Sequence, residues 1–261
     1  MGDTPQKRKQ VRAPESYVQR DYRLVADVSE LSSARVCIEE TDLHISCDRM
    51  DEDAARDLVL QARLQLQSYI DRFPEFATSL IPRPVDESAP ALIRQMLVAA
   101  RATEVGPMAA VAGTLAEYVG NGLLREGATE VIVENGGDIF LSRKKDSRIA
   151  IFAGQSPLSY NVGIKIAAGR MPCGVCTSSG TVGHSLSFGD ADSVTVLAES
   201  TALADAAATR LGNEVGKGKG GKEGVNRALA VAKSIPDIRG VVVICGEVIG
   251  AAGEVELVSL S

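Results

Sequence analysis

Val133-Glu134-Asn135-Gly136-Gly137-Asp138-Ile139 joins two runs of β-forming residues, at 129–134 and 138–143. An Asn-Gly step between two such runs predicts a tight β-hairpin, because the central residues of this turn need positive φ. The turn by itself explains the glycines. Paired glycines also leave backbone N–H groups uncovered, so a flat or phosphorylated ligand can approach the hairpin tip.

Further strands are predicted on both sides of the hairpin. The β-forming runs are YRLVADV at 22–28, ARVCIEE at 34–40, DLHISCD at 42–48, RIAIFAG at 148–154, NVGIKIA at 161–167, DSVTVLA at 192–198, VVVIC at 241–245, EVIGA at 247–251 and EVELVSL at 254–260. The first three predict an opening antiparallel meander.

Helices are predicted in blocks between these runs. Apolar residues recur at helical spacing from Asp51 to Phe73, and Pro74 ends the run. Residues 76–90 contain three prolines and are predicted to form a loop between layers. The other helices are expected over 91–103, from Pro107 to about 124, from 201 to about 212 and over 225–234. Strands in runs with helices in blocks predict an α+β fold, with antiparallel or mixed sheets packed against helices.

Composition and charge narrow the class of protein. The chain has 261 residues, of which 45% are hydrophobic and 24% charged, as in an ordinary globular protein. We expect a flexible basic arm over residues 1–20 and a single domain over 21–261. The net charge of −6 argues against a general nucleic-acid binder, since phosphate binding needs a basic surface.

The expected compartment is the cytoplasm. Five cysteines are an odd number in a chain too long to need disulfides, which indicates a reducing environment. The basic N-terminus lacks the apolar run of a signal peptide, and no apolar stretch is long enough to predict a membrane span. The helices rich in Ala and Gly are compatible with a homodimer.

A second notable segment extends from Cys176 to Leu186, with the sequence CTSSGTVGHSL. It combines hydroxyl groups, glycines and His184, one of two histidines, in what is predicted to be a polar turn between strands. A Ser/Thr-rich loop explains it equally well. The adjoining Cys173-Gly174-Val175-Cys176 is a lone C-x-x-C, for which a zinc or redox role has little support. A thiol at a pocket wall is the remaining interpretation.

The third segment is Ser200-Thr201-Ala202-Leu203-Ala204-Asp205-Ala206-Ala207-Ala208-Thr209. Ser200 or Thr201 can cap a helix, and Asp205 and Thr209, four residues apart, then share one face near its positive end. A carboxylate and a hydroxyl in this arrangement offer two oxygen ligands to a hard cation such as Mg²⁺. An acidic residue that favours the helix dipole is the alternative.

Taken in order, these three segments resemble the FAD:protein FMN transferases, the ApbE-like superfamily, from about Gly106 to Asn213. The resemblance implies a T-fold-related architecture and a small phosphorylated ligand, FAD or a related flavin nucleotide, with Mg²⁺. It implies that Asp205 and Thr209 bind the metal and that Asp205 and His184 are catalytic. It also implies a cofactor-binding set of Gly136, Gly137, Asp138, Thr177, Ser178, Ser179 and Gly180.

The implied reaction is Mg²⁺-dependent transfer or hydrolysis at the flavin pyrophosphate. Two departures keep an alternative open, a flavin-binding or small-anion-binding protein without catalysis. Residues 106–113 lack the lysine usual in the family's Gly-rich helix, and His184 is followed by Ser185-Leu186 rather than by an Ile-Ile-Asp-Pro segment.

An interaction protein that binds partners through its basic arm and strand edges is a third hypothesis. Lys217, Lys219 and Lys222 lie in a Gly-rich segment that lacks P-loop spacing and is predicted to be a loop.

Overall fold

The structure is a computed structural model and describes residues 28, 30–180, 189–216 and 221–260. The strands are β1 Ser32–Ile38, β2 Thr41–Cys47, β3 Val131–Asn135, β4 Asp138–Ser142, β5 Ser147–Ala150, β6 Val162–Ile166, β7 Cys173–Ser178, β8 Ser193–Ala198, β9 Ile238–Cys245, β10 Val248–Gly253 and β11 Glu256–Ser259. The helices are α1 Glu52–Arg72, α2 Glu75–Thr78, α3 Ala91–Thr103, α4 Val111–Arg125, α5 Thr201–Val215 and α6 Gly221–Ala232.

An antiparallel sheet of eight strands, in the order β1-β2-β3-β4-β7-β8-β9-β10, forms the middle layer. Helices cover one face, and a three-stranded sheet in the order β11-β6-β5 lies on the other. The predicted α+β class is therefore confirmed, and every strand pairing described is antiparallel.

The predicted hairpin joins β3 to β4 near the centre of the large sheet. Asn135 pairs with Asp138, so the two central residues are Gly136 and Gly137 rather than Asn135 and Gly136. Their φ angles are 68° and 111°, in the region where a side chain is disfavoured. The hairpin was predicted correctly, but its centre lies one residue later than the Asn-Gly step suggests.

Glycines let α4 and α5 approach their neighbours closely. A Cβ at Gly113 would lie 2.5 Å from the Thr201 carbonyl oxygen, and one at Gly120 would lie 2.1 Å from the Phe140 ring. A Cβ at Gly174 of β7 would lie 2.4 Å from the Thr201 Cα. The prediction of a small-residue helix lying against the sheet is confirmed. Since the small residues pack inside one chain, they no longer argue for a homodimer, which stays a prediction.

Most predicted helices agree with the structure, including α3 with its limits at 91 and 103. The Asp51 side chain accepts a hydrogen bond from the Ala54 N–H at the start of α1. Three local features differ from expectation. A one-turn helix, α2, includes residues 76–78 of the predicted Pro-rich loop, the first turn after Gly106 is a 3-10 helix at Pro107–Ala110, and α6 begins at Gly221 rather than at 225.

Two expectations about the N-terminal residues lie outside the described part of the chain. These are the basic arm at 1–20 and nearly all of the predicted strand at 22–28. Within the described ranges, no helix combines the length and the apolar character needed to span a bilayer.

Candidate functional site

The antiparallel order of the large sheet brings the first two sequence segments together. The hairpin tip between β3 and β4 lies at the same sheet end as the C-terminal end of β7, because Ile139 pairs with Val175 and Phe140 with Gly174. This register continues to Asp138 and Cys176, whose side chains are in hydrogen-bonding contact. Cys176 to Ser178 therefore belong to a strand, and the prediction of a turn from residue 176 was wrong for these three residues.

The third segment reaches the same place from the helical layer. Helix α5 crosses β7 with Thr201 against Gly174, and the Cys176 Sγ lies 3.4 Å from the Thr201 carbonyl oxygen. Asp205, one turn further, is close enough to Asp138 for the two charges to influence each other. One buried cluster thus contains Asp138, Cys176 and Asp205, from three separate segments.

Burial dominates the electrostatics of this cluster. Loss of solvent raises the pKa of the Asp138 carboxyl to about 7, although Cys176 and the Thr177 backbone act in the opposite direction. Burial and then the charge of Asp138 raise the pKa of Asp205 well above its usual range. Burial also raises the pKa of the Cys176 thiol, so it is protonated at neutral pH.

Asp205 also has a structural role that the sequence did not reveal. Its Oδ2 accepts a hydrogen bond of 2.8 Å from the Gly113 N–H in the first turn of α4. The N-cap residue of α4 is Ala110, which provides no side-chain cap. Asp205 therefore satisfies an N–H group of another helix, ninety-two residues away in the chain.

Thr209 lies one helical turn beyond Asp205 and is half-buried. Among the described residues, no group of three or more His, Cys, Asp or Glu side chains is placed to hold a metal ion. As ligands of a cation that takes its other oxygens from water or from a phosphorylated ligand, Asp205 and Thr209 stay a prediction. Mg²⁺ has this preference.

The hairpin tip has open space above it. A Cβ at Gly136 would meet nothing within 4 Å, and one at Gly137 would come only to 3.7 Å from the Thr177 carbonyl oxygen. The Gly137 N–H, however, donates a hydrogen bond of 2.9 Å to the Glu134 Oε1. The Gly137 N–H, which was expected to be uncovered, therefore already has a hydrogen-bond partner within the hairpin.

The predicted hydroxyl residues separate into two groups. Side chains alternate along β7, so Thr177 lies on the sheet face opposite to Cys176, and its hydroxyl is 2.9 Å from that of Thr195. Ser178 and Ser179 are half-buried at the end of the strand. A Cβ at Gly180 would lie 1.9 Å from the Gly189 carbonyl oxygen, so this glycine is required for backbone packing.

His184, Lys217 and Lys219 lie outside the described residues. Strand alternation separates the two cysteines of the C-x-x-C pair. Cys173 packs towards the small sheet and Cys176 towards α5. Both are free thiols on opposite faces, which excludes a disulfide between them.

Two acidic residues near the cluster were not singled out from the sequence. Glu134 belongs to the hairpin segment but was not assigned a role, and Glu117 lies in the apolar run of α4, VAGTLAEYVG. Glu117 could have been identified from the sequence as the single charged residue in this apolar run, since a buried charge needs a partner.

A family model described as "AbpE bacteria" matches residues 24–238, which include all three segments. The chain belongs to this family. Its relatives include a UPF0280 protein of Methanococcus aeolicus, 41% identical over 228 residues that make up 85% of this chain and 90% of the relative. UPF0280 protein MJ1526 of Methanocaldococcus jannaschii is 42% identical over 224 residues, 85% of this chain and 90% of the relative.

Solved ApbE structures share the fold of this AbpE-family chain at low sequence identity. The apbe protein of Thermotoga maritima has a TM-score of 0.53 and 13% identity, with 86% of this chain and 97% of that chain covered. A mutant form of the flavin transferase ApbE from Vibrio cholerae has a TM-score of 0.53 and 15% identity, with 85% and 97% covered. The ApbE-like resemblance seen in the sequence is therefore confirmed.

Proposed function

We propose that this protein binds FAD or a related flavin nucleotide at the hairpin end of the large sheet and acts, with Mg²⁺, on the pyrophosphate. The observation that carries the proposal is the meeting of Asp138, Cys176 and Asp205 in one cluster. Flavin transferase activity is stated in the name of the Vibrio cholerae neighbour, and the fold and family likeness support extending it to this chain.

Asp205 and Thr209 would hold the Mg²⁺. The ion would neutralise the pyrophosphate charge and so assist attack at phosphorus. Gly136 lies at the open hairpin tip, where a ligand can approach the backbone. Ser178, Ser179 and Gly180 would border the ligand from the end of β7, and His184 is proposed at its reactive end.

Asp138 would hold a proton at the site. With its pKa raised to about 7, its carboxyl is about half protonated at neutral pH and can donate a hydrogen bond to a phosphate oxygen. In the proposed transfer, an acceptor hydroxyl forms a bond to the flavin-side phosphorus, the pyrophosphate bond breaks, and AMP leaves. The hydroxyl proton passes to a nearby base. With water as the acceptor, the products are FMN and AMP.

A flavin-binding or anion-binding protein without catalysis is the second candidate. One observation favours it: Asp205 already accepts the Gly113 N–H, so a carboxylate at this position has a structural explanation without a metal. The absence of a lysine from residues 106–113 points in the same direction.

The test is a titration of FAD into the purified protein with and without Mg²⁺, followed by flavin fluorescence and by AMP release. Thr209→Val removes the hydroxyl ligand without touching the α4 cap. Thr103→Val is the matched control, because the Thr103 hydroxyl bonds within its own helix, 2.8 Å from the Ala99 carbonyl oxygen. We expect Mg²⁺-dependent binding that Thr209→Val weakens and Thr103→Val does not. Saturable binding without AMP release would select the second candidate, and no FAD binding under either condition would refute both flavin proposals.

A further inference from the structure

Helices α4 and α5 each supply a carboxylate to the first turn of the other. Asp205 of α5 accepts the Gly113 N–H at 2.8 Å. In return, the Glu117 Oε2 of α4 accepts the Thr201 N–H at 2.7 Å, with the Ala202 N–H and the Ser200 hydroxyl each at 3.4 Å. On each helix, the acidic residue lies four positions after the N–H that the other helix binds.

This reciprocal arrangement depends on close backbone contact. A Cβ at Gly113 would lie 2.8 Å from the Asp205 Cβ as well as 2.5 Å from the Thr201 carbonyl oxygen, so only glycine fits between the two helices. The Asp205 carboxylate is buried and that of Glu117 is partly buried, and burial is the main reason that the pKa of Glu117 is raised. An N–H group or a carboxylate that loses its water on burial needs a hydrogen-bond partner in the protein. The two groups must therefore be held in a specific geometry.

The two caps are mechanically linked because they belong to the same pair of rigid helices. Glu117 holds the first turn of α5, and Asp205 follows Thr201 by one turn of that helix. A shift of the α5 first turn would carry Asp205 away from Gly113 and would move Thr209 with it. Ser200 provides a local cap through the Leu203 N–H, but this bond does not reach α4.

We infer that Glu117 is a positioning residue for the site: it sets α5 against α4 and thereby places Asp205 and Thr209. Glu117 itself need not contact ligand. The part of this inference that concerns metal binding rests on the proposed function, whereas the coupling of the two caps does not.

The first experiment measures amide hydrogen exchange in the full chain for wild type, Glu117→Ala and Glu117→Gln. The Thr201 amide should lose protection in Glu117→Ala under any capping role. If Glu117 positions α5, the Gly113 amide, whose acceptor is Asp205, should also exchange faster, by about tenfold for the loss of one buried cap. Glu117→Gln keeps an acceptor oxygen and should restore most of this protection. Unchanged exchange at Gly113 alongside faster exchange at Thr201 would overturn the inference.

The second experiment measures Mg²⁺ affinity by calorimetry for the same proteins, with Glu126→Ala, an exposed residue at the end of α4, as the control. We expect Glu117→Ala to weaken Mg²⁺ binding by about tenfold or more, with recovery in Glu117→Gln. Wild-type affinity in Glu117→Ala would overturn the positioning role. If wild type binds no Mg²⁺ but Gly113 exchange still responds to Glu117, the metal proposal fails while the coupling of the caps stands.

Discussion

The buried carboxyl of Asp138 predicts that the protein becomes less stable as pH rises from about 4 to about 7. Its pKa is near 3.8 in an unfolded chain and about 7 in the folded one. The folded state therefore binds more protons in this interval, and the unfolding free energy falls as pH rises through it. At 1.36 kcal/mol per pKa unit, the difference corresponds to about 4 kcal/mol as an upper figure.

Urea unfolding at pH 4.5, 6 and 8 would measure this dependence, in wild type and in Asp138→Asn. The substitution removes one titrating group, so the unfolding free energy of the variant should vary with pH less than that of wild type. Some slope should remain, because burial raises the pKa of Glu117 and Asp205 in the same direction. Asp57→Asn, at an exposed site on α1, is the control and should keep the wild-type slope.

Mg²⁺ provides a second arm of the same experiment. A cation bound beside the carboxylates of Asp138 and Asp205 favours their ionised forms, so its stabilising effect on Tm should be larger at pH 8 than at pH 5. Equal pH slopes for wild type and Asp138→Asn would refute the reasoning about Asp138. A Tm increase with Mg²⁺ that is larger at pH 5 would contradict the proposed location of the cation.

Three further predictions concern packing and thiols. Gly120→Ala should destabilise the protein by about 1–3 kcal/mol in urea unfolding, because the new Cβ would meet the Phe140 ring at 2.1 Å; a Phe140→Leu background should reduce this cost. Asp205→Ala should cost about 1–2 kcal/mol through loss of the α4 cap, and Asp205→Asn, which keeps an acceptor, should cost less. Mild oxidation followed by mass spectrometry should find no Cys173–Cys176 disulfide, since these thiols lie on opposite faces of β7; finding that disulfide would show that residues 173–176 do not form an extended strand.

Much of the secondary structure was predictable because it depends on neighbours in the chain. Alternation of apolar residues predicted β1 and β2, and proline and helical spacing predicted the limits of α1 and α3. The Asn135-Gly136 step predicted the hairpin, since few other residues tolerate positive φ, although the turn is centred one residue later, on Gly136 and Gly137. The order of the three motif segments was sufficient to recognise the family.

The sequence by itself determined the α+β class, the hairpin, most helix limits and the segments that form the candidate site. Only the tertiary structure decided which side chains meet there. Register and strand alternation place Cys176 beside Asp138 and turn the Thr177 hydroxyl to the other face. The pairing of Asp205 with Gly113, and of Glu117 with Thr201, joins residues more than eighty positions apart. Such contacts depend on how closely two helix backbones approach, and that distance follows from the packing of the whole chain rather than from any local pattern.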